Sequence, residues 1–198
     1  MAEYDVVLLP SFAQVEDWRK RGATEQPNGL FSQVVSTFNA WIADLWELHG
    51  DGRAIVDSLQ RQTIMHAAFE RMSGNTETDT DSSDDELTMS PGVVKLAARC
   101  VREAAGVPAF ERAVDQAHEG VVPEGLTVRE AILLDGIGLY RELLETADLI
   151  EVGHAAAYLA TVSDQVFSVP QRVLVAQASP LNWLTASFFG ECDCSYSS

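Results

Sequence analysis

This sequence has little positive charge. Its 198 residues contain 13 Lys and Arg against 30 Asp and Glu, which gives a formal net charge of −17. Proteins that hold nucleic acid mainly through its phosphates need clustered basic side chains. The chain by itself is therefore predicted to repel nucleic acid, and its one basic triplet is Arg19, Lys20 and Arg21.

Cysteines and long apolar runs are also scarce. Cys100, Cys192 and Cys194 form no disulfide framework, and the last two cannot complete a four-ligand zinc site by themselves. No segment approaches the roughly 18 apolar residues of a membrane helix. The opening MAEYDVVLLP has no basic region and no signal-peptide cleavage pattern. These absences predict a cytoplasmic protein with no membrane partner.

An acidic segment divides the chain. TETDTDSSDDE, residues 76–86, holds six acids, no base and no hydrophobic residue. Such a segment cannot bury apolar surface, so residues 74–89 are predicted to form a mobile, solvated loop. Mimicry of DNA and recruitment of a basic partner are the alternative interpretations of this loop.

Two strand–helix units are predicted before the acidic segment. YDVVLLP and LFSQVVS have the apolar, β-branched composition of strands. The helix after the first strand is predicted to be capped by Ser11, to have one apolar stripe of Phe12, Val15 and Trp18, and to end at Gly22. Farther along, Asp57 with Gln60 three residues later predicts a capping box at the start of another helix.

The helix after the second strand is predicted to begin after Thr37 and to end at Gly50. Its apolar residues recur at the spacing of one wide helical face, which indicates packing against a core. That face consists of Phe38, Trp41, Ile42, Leu45 and Trp46. Trp41 and Trp46 are therefore predicted to pack inside the protein, and a base-stacking role is the alternative.

After the acidic segment the sequence is predicted to be helical up to the last strand, RVLVA. The expected helices span roughly 91–105, 108–118, 126–146 and 149–161. Strands that alternate with helices at both ends of the chain predict an α/β fold with a parallel sheet. About three strands are expected, which is few for a self-sufficient sheet domain.

The predicted domain organisation is an α/β domain with a helical insertion. Residues 1–73 form the first part of the α/β domain, 74–89 the acidic loop and 90–165 the helical insertion. Residues 166–190 return to the sheet as a strand and a helix, and 191–198 form a frayed tail. We expect the rest of the sheet to come from a larger chain or a partner subunit.

Several segments resemble the first motor domain of UvrD/Rep-type DNA helicases, and most closely the N-terminal region of AddB and RexB helicase–nuclease subunits. VVLLPSFAQVEDWRKR resembles the family's second core strand and following helix. VVSTFNAWIADLW resembles the strand and helix that begin with Thr-Phe-His, with Asn39 in place of the His. AIVDSLQRQTIMHAAF and YRELLETADLIEVGHAAAYL resemble later helices of the same domain.

This resemblance implies a partial RecA-like sheet of about three strands with a large all-helical insertion. It also implies that DNA binds only in a full assembly that includes the remainder of a larger helicase or nuclease. The candidate DNA-contacting residues are Ser11, Arg19, Lys20, Arg21, Thr37, Phe38 and Asn39.

Two departures from the family's pattern concern ATP chemistry. The chain has no G-x-x-x-x-G-K-[ST] motif, whose glycine amides and lysine cradle phosphates. RVLVAQASPLNWL falls where the family has a strand ending in a Mg²⁺-binding Asp and a water-positioning Glu, and here Ala176 and Gln177 take those positions. The resemblance therefore implies a degenerate motor domain, inactive by itself and without the family's ATP and Mg²⁺, that acts as a scaffold or DNA guide in repair or recombination.

Other interpretations stay open at this stage. One is a fragment of an active ATP-dependent helicase whose phosphate loop lies elsewhere, which the Met1 start disfavours; another is a stand-alone interaction module with an unrelated α/β fold. Thr37 is first of all a helix cap, and the basic triplet is first of all a solvated helix end. The four histidines share no pairing at metal-ligand spacing and are expected at surfaces or helix ends: His49, His66, His118 and His154.

Overall fold

The structure is a computed structural model that describes residues 5–25, 33–74, 90–166, 172–176 and 193–197. In chain order the described elements are β1 (Val6–Leu9), α1 (Phe12–Glu25), β2 (Val34–Thr37), α2 (Phe38–His49), β3 (Ala54–Ile55), α3 (Ser58–Gly74), α4 (Pro91–Ala104), α5 (Pro108–His118), α6 (Val128–Thr146), β4 (Leu149–Ile150), α7 (Val152–Val166), β5 (Arg172–Ala176) and β6 (Asp193–Ser197).

The chain divides into two compact units. The sheet unit comprises Met1–Asp51 and Ala155–Ser198, and the helical unit comprises Gly52–His154. The division differs from the expected boundaries at 73 and 90, because α3 lies in the helical unit. Its residues Met65 and Phe69 are fully buried in that unit's apolar cluster, so core packing decides where this helix belongs.

The sheet unit contains a small parallel sheet, which confirms the predicted mixed α/β class. The strand order is β2-β1-β5-β6, and each neighbouring pair is parallel. Val7 of β1 is in register with Val35 of β2 and with Leu174 of β5. Val35 and Leu174 also belong to an apolar cluster that the sheet forms with α1. This cluster consists of Val7, Leu9, Val15, Val35 and Leu174, with Trp18 packed against it.

Three predictions for the sheet unit are wrong. Residues 191–198 are not simply a frayed tail, because Asp193–Ser197 forms β6 and pairs with β5. Strands pair through backbone hydrogen bonds, which any side chains allow. The sequence DCSYS has no alternating apolar pattern, so it could not be recognised as a strand. Gly22 does not end α1, which continues to Glu25, since one glycine inside a helix costs only about 1 kcal/mol. The predicted apolar stripe of α1 does not pack as a whole, because Val15 is buried and Phe12 is exposed.

The helical unit is built around α6. This helix packs against α3, α4 and α5, and its Tyr140 and Ile137 are fully buried. Gly136 and Gly138 permit this close packing, because an added Cβ would lie 2.5 Å from the ring of Phe69 or 2.7 Å from that of His118. The four predicted helices of this region exist, the one at 108–118 with the predicted ends and the other three with shifted ends.

A short parallel pair, β3 and β4, was not predicted, and β4 lies in the region predicted to be entirely helical. Ala54 N–H donates to Asp148 O at 3.0 Å, and Val56 N–H donates to Ile150 O at 2.9 Å. The last predicted helix, expected from residue 149, therefore begins at Val152. Two-residue strands are too short to show a period of two, so the sequence pattern could not reveal them.

Several predictions concern residues outside the described ranges. These are the acidic loop after Gly74, the residue Gln177, and the helix predicted to follow the last strand within residues 166–190. Gly74 itself is described and ends α3. Among the helices that the structure describes, none is long and apolar enough to cross a membrane.

Candidate nucleic-acid interface

Two capped helices begin side by side at the carboxyl edge of the sheet. Ser11 follows β1, and its Oγ accepts a hydrogen bond from Gln14 N–H at 3.4 Å. Thr37 ends β2, and its Oγ1 accepts from Ala40 N–H at 3.3 Å. Leu9 and Thr37 are register partners, so α1 and α2 start from neighbouring strands. In open α/β sheets, ligands bind outside this edge.

The first turns of these helices leave several side chains open to solvent. Ser11 and Asn39 are exposed, and Thr37 and Phe38 are half-buried. Phe12 is 66% exposed, although its spacing with Val15 predicted one apolar stripe. Phe12, the exposed first residue of α1, is the residue of this edge that sequence analysis missed. The only signal available was its position directly after the cap.

The basic triplet does not join this edge. Arg19 lies two turns beyond Phe12, about 10 Å along the helix axis, and its Nη2 donates to Val35 O at 2.7 Å. Lys20 pairs with Glu16 one turn back at 3.7 Å. The guanidinium of Arg21 lies 5.9 Å from the ring centroid of Trp18. The triplet is in mid-helix rather than at a helix end, and each member has a contact within its own unit.

Ala176, which takes the position of the family's metal-binding Asp, lies at the same edge of the sheet. Ala176 is the last residue of β5, and the preceding Val175 is in register with Leu8 of β1. A methyl side chain cannot ligate Mg²⁺, and Gln177 lies outside the described residues. β5 thus has a structural place between β1 and β6.

The two α2 tryptophans pack as predicted. Trp41 and Trp46 are each 5% exposed, and Trp46 meets Tyr158 of α7 edge-on with ring centroids 5.5 Å apart. Rings buried to this extent cannot serve as stacking platforms for bases. The core interpretation of the α2 apolar face is confirmed.

A second polar constellation is buried inside the helical unit. Arg61 of α3 donates from Nε and Nη2 to the two carboxylate oxygens of Glu151, each at 2.8 Å. The Tyr140 hydroxyl donates to Glu151 Oε1 at 2.5 Å. Arg61 is 8% exposed and Glu151 1%. Sequence analysis missed this cluster, since Arg61 and Glu151 lie 90 residues apart.

The electrostatics of this cluster favour one protonation state. Burial, together with the charge and hydrogen bond of Glu151, raises the pKa of Tyr140 well above its usual value. Burial by itself would lower the pKa of Arg61, but the hydrogen bond and charge of Glu151 raise it. Both groups therefore keep their protons, and the cluster is suited to holding three chain segments together rather than to transferring protons.

Partly exposed ion pairs join the other helices of this unit. His118 at the end of α5 has Nδ1 at 2.8 Å from Asp135 Oδ1 and Nε2 at 3.2 Å from Glu142 Oε1. Because the two carboxylates contact opposite ring nitrogens, they do not converge on one metal position. Across the part of the chain that the structure describes, no group of three or more His, Cys, Asp or Glu side chains fits a metal ion.

Glu111 in the first turn of α5 is the centre of a second network. Its Oε1 accepts from Gly106 N–H at 2.8 Å and lies 2.7 Å from His154 Nε2. Its Oε2 lies 3.2 Å from Arg141 Nη1. Burial opposes ionisation of Glu111, but the hydrogen bond and charge of His154, with Gly106 and Arg141, lower its pKa. The carboxylate therefore joins the turn after α4 to α6 and α7.

No family model matches this chain, and no curated protein is similar enough in sequence to count as a relative.

Proposed function

We propose that this chain is the N-terminal segment of a UvrD/Rep-type, AddB- or RexB-like DNA helicase or helicase–nuclease of DNA repair or recombination. In this proposal the segment is a degenerate motor domain that guides DNA as a scaffold. One observation carries the proposal: α1 and α2 begin on neighbouring strands at the carboxyl edge, where Ser11, Phe12 and Asn39 are exposed.

The chemistry of this edge suits a single strand of nucleic acid. Unpaired N–H groups at a helix N-terminus attract phosphates, and two such termini next to each other can contact successive phosphates of one backbone. An exposed aromatic ring stacks on bases of any sequence, which suits Phe12. The edge thus supports contact with single-stranded DNA without sequence preference.

The charge of the chain supports a role within a larger assembly. A net charge of −17 opposes the counterion release from which nucleic-acid affinity is mainly derived. Arg19 and Lys20, the nearest cations on α1, contact Val35 O and Glu16. We therefore expect basic surfaces of the remaining chain or of a partner subunit to bring DNA to this edge.

A titration of labelled single-stranded DNA with the protein, followed by fluorescence anisotropy, tests the proposal. We expect weak binding at low salt and almost none at about 0.15 M salt, where the Debye length is about 8 Å. Phe12→Ala should weaken the low-salt binding roughly tenfold, because one stacked base contributes about 1–3 kcal/mol. Leu48→Ala is the matched control, since Leu48 is an apolar residue of α2 that is 74% exposed and far from the edge.

Two outcomes would contradict the proposal. Equal effects of Phe12→Ala and Leu48→Ala would show that DNA does not contact the carboxyl edge. Release of phosphate from Mg-ATP by the purified protein would show that the chain is not a degenerate motor. Submicromolar binding at physiological salt would instead contradict the expectation that the net negative charge prevents binding by the chain alone. Arg19, Lys20 and Arg21 would then again be candidate DNA-contacting residues.

A further inference from the structure

β2 is an edge strand of the sheet as the structure describes it. On the inner side, Val34 N–H donates to Asp5 O at 3.0 Å, next to β1. Successive residues of a strand in a parallel sheet direct their backbone groups to alternate sides. Val35 therefore directs its N–H and C=O away from β1, toward the open edge.

The outward carbonyl of Val35 is occupied by a side chain from another element. Arg19 Nη2 of α1 donates to Val35 O at 2.7 Å. An added strand would place one of its backbone N–H groups at this position. The guanidinium therefore replaces the hydrogen bond that a neighbouring strand would make, and it adds a positive charge to the edge.

Within its described residues, β2 has none of the sequence features that protect an edge strand from pairing. β2 consists of Val34, Val35, Ser36 and Thr37, three of which are β-branched and none of which is charged or proline. Val34 is 47% exposed. Edges of this composition promote association, and natural proteins protect them with charged side chains, prolines or bulges. Here the charge is supplied by α1.

We propose that Arg19 closes the β2 edge and prevents a second copy of this chain from pairing with it. The partner that Arg19 excludes is the same strand of another copy, because two identical edges can meet antiparallel about a two-fold axis and form a self-complementary interface. This inference is independent of any DNA contact, since it concerns the backbone of β2 and not the carboxyl edge.

Sedimentation velocity over a wide range of protein concentration tests this inference. Arg19→Ala should associate into dimers as concentration rises, with an infrared band of intermolecular β-sheet, while the unaltered protein stays monomeric. Arg21→Ala is the matched control, because it removes the same charge from the same helix, and Arg21 contacts Asp17 O and Trp18 rather than β2. Both substitutions make the net charge more negative, so a gain of association cannot come from reduced repulsion.

A rescue variant tests whether the association occurs through β2. Val34→Lys, added to Arg19→Ala, introduces a charge on the exposed face of the strand and should restore the monomer. If Arg19→Ala does not fold, Arg19→Met retains the aliphatic stem without a donor and gives the same readout. A folded Arg19 variant that stays monomeric overturns the inference. The inference is also overturned if Arg21→Ala associates to the same extent, or if Val34→Lys does not restore the monomer.

Discussion

The two units of this protein align their elements by different means. In the sheet unit, β1 pairs in register with β2 and β5, so backbone hydrogen bonds determine how the strands lie. In the helical unit, apart from the two-residue pairing of β3 with β4, charged side chains connect segments distant in sequence, as Arg61 does with Glu151 and Arg141 with Asp115. A helix satisfies its backbone internally, so only side chains can determine how two helices align.

This difference predicts where the protein is vulnerable. A strand in the ladder keeps its backbone bonds when one side chain is changed, whereas a helix pair loses the contact that aligned it. Substitutions of buried polar residues, or of small residues in close contact, between helices should therefore cost more stability than substitutions at the caps of the sheet unit. Four single substitutions, in order of expected effect, and one triple replacement test this expectation.

Glu151→Ala should have the largest effect. It leaves Arg61, 8% exposed, as an unpaired buried charge and removes the acceptor of the Tyr140 hydroxyl. The expected loss in the free energy of unfolding is about 3–5 kcal/mol, measured by urea denaturation with circular dichroism. As a control, Glu103→Ala removes an exposed carboxylate paired with Arg99 on the same helix and should cost less than about 1 kcal/mol.

An all-apolar replacement separates the cost of an orphaned charge from the contribution of the cluster itself. The triple variant Arg61→Met, Tyr140→Phe and Glu151→Leu removes every polar partner at once. It should recover most of the stability lost in Glu151→Ala, because buried ion pairs are often no more stabilising than packed apolar side chains. Equal instability of the triple variant would mean that the ion pair itself stabilises the helical unit.

Gly153→Ala should have the next largest effect. An added Cβ at this position would lie 2.0 Å from Ala105 O, so α7 or the turn after α4 must move, at a cost of about 1–3 kcal/mol. Gly92→Ala is the control, because a Cβ there meets Ser90 Oγ at an ordinary 3.5 Å. The control should be neutral or stabilise by up to about 1 kcal/mol. Similar melting temperatures for the two variants would contradict the close packing of α7.

Thr37→Ala tests the sheet unit. The change removes the side-chain acceptor of Ala40 N–H and should cost about 1 kcal/mol while β2 stays paired. Thr24→Ala is the control, since the Thr24 hydroxyl donates only to Lys20 O in the preceding turn, and it should change stability by less than about 0.5 kcal/mol. A loss as large as that of Glu151→Ala would remove the contrast between the units.

The pH dependence contributed by His118 should be the smallest effect. Hydrogen bonds and charges of Asp135 and Glu142 raise the pKa of His118, although burial opposes this. The stabilisation is therefore complete below the unfolded-state pKa of about 6.5 and is lost as pH rises through the folded-state pKa. Because the site is partly exposed, the change should stay below about 1 kcal/mol. Urea denaturation at several pH values should show this slope in the unaltered protein and a flatter one in His118→Gln.

Local features were predictable from the sequence because their causes are local. The capping box forms as expected: Asp57 N–H donates to Gln60 Oε1 at 3.0 Å, and Gln60 N–H donates to Asp57 Oδ1 at 2.8 Å. α2 has the expected start at Phe38 and buries Trp41 and Trp46. In the candidate interface, Ser11 and Thr37 were identified as caps for the same reason. Each of these features depends on residues within one or two helical turns.

The sequence by itself determined where most helices begin, which face of α2 is buried, and that α/β alternation yields a small parallel sheet. The tertiary structure alone decided that Arg61 meets Glu151, that Arg19 bonds to Val35, and that Phe12 stays exposed. The physical reason is range: caps and helical periodicity act between residues that are neighbours along the chain, whereas burial and ion pairing depend on which distant segments become neighbours in space.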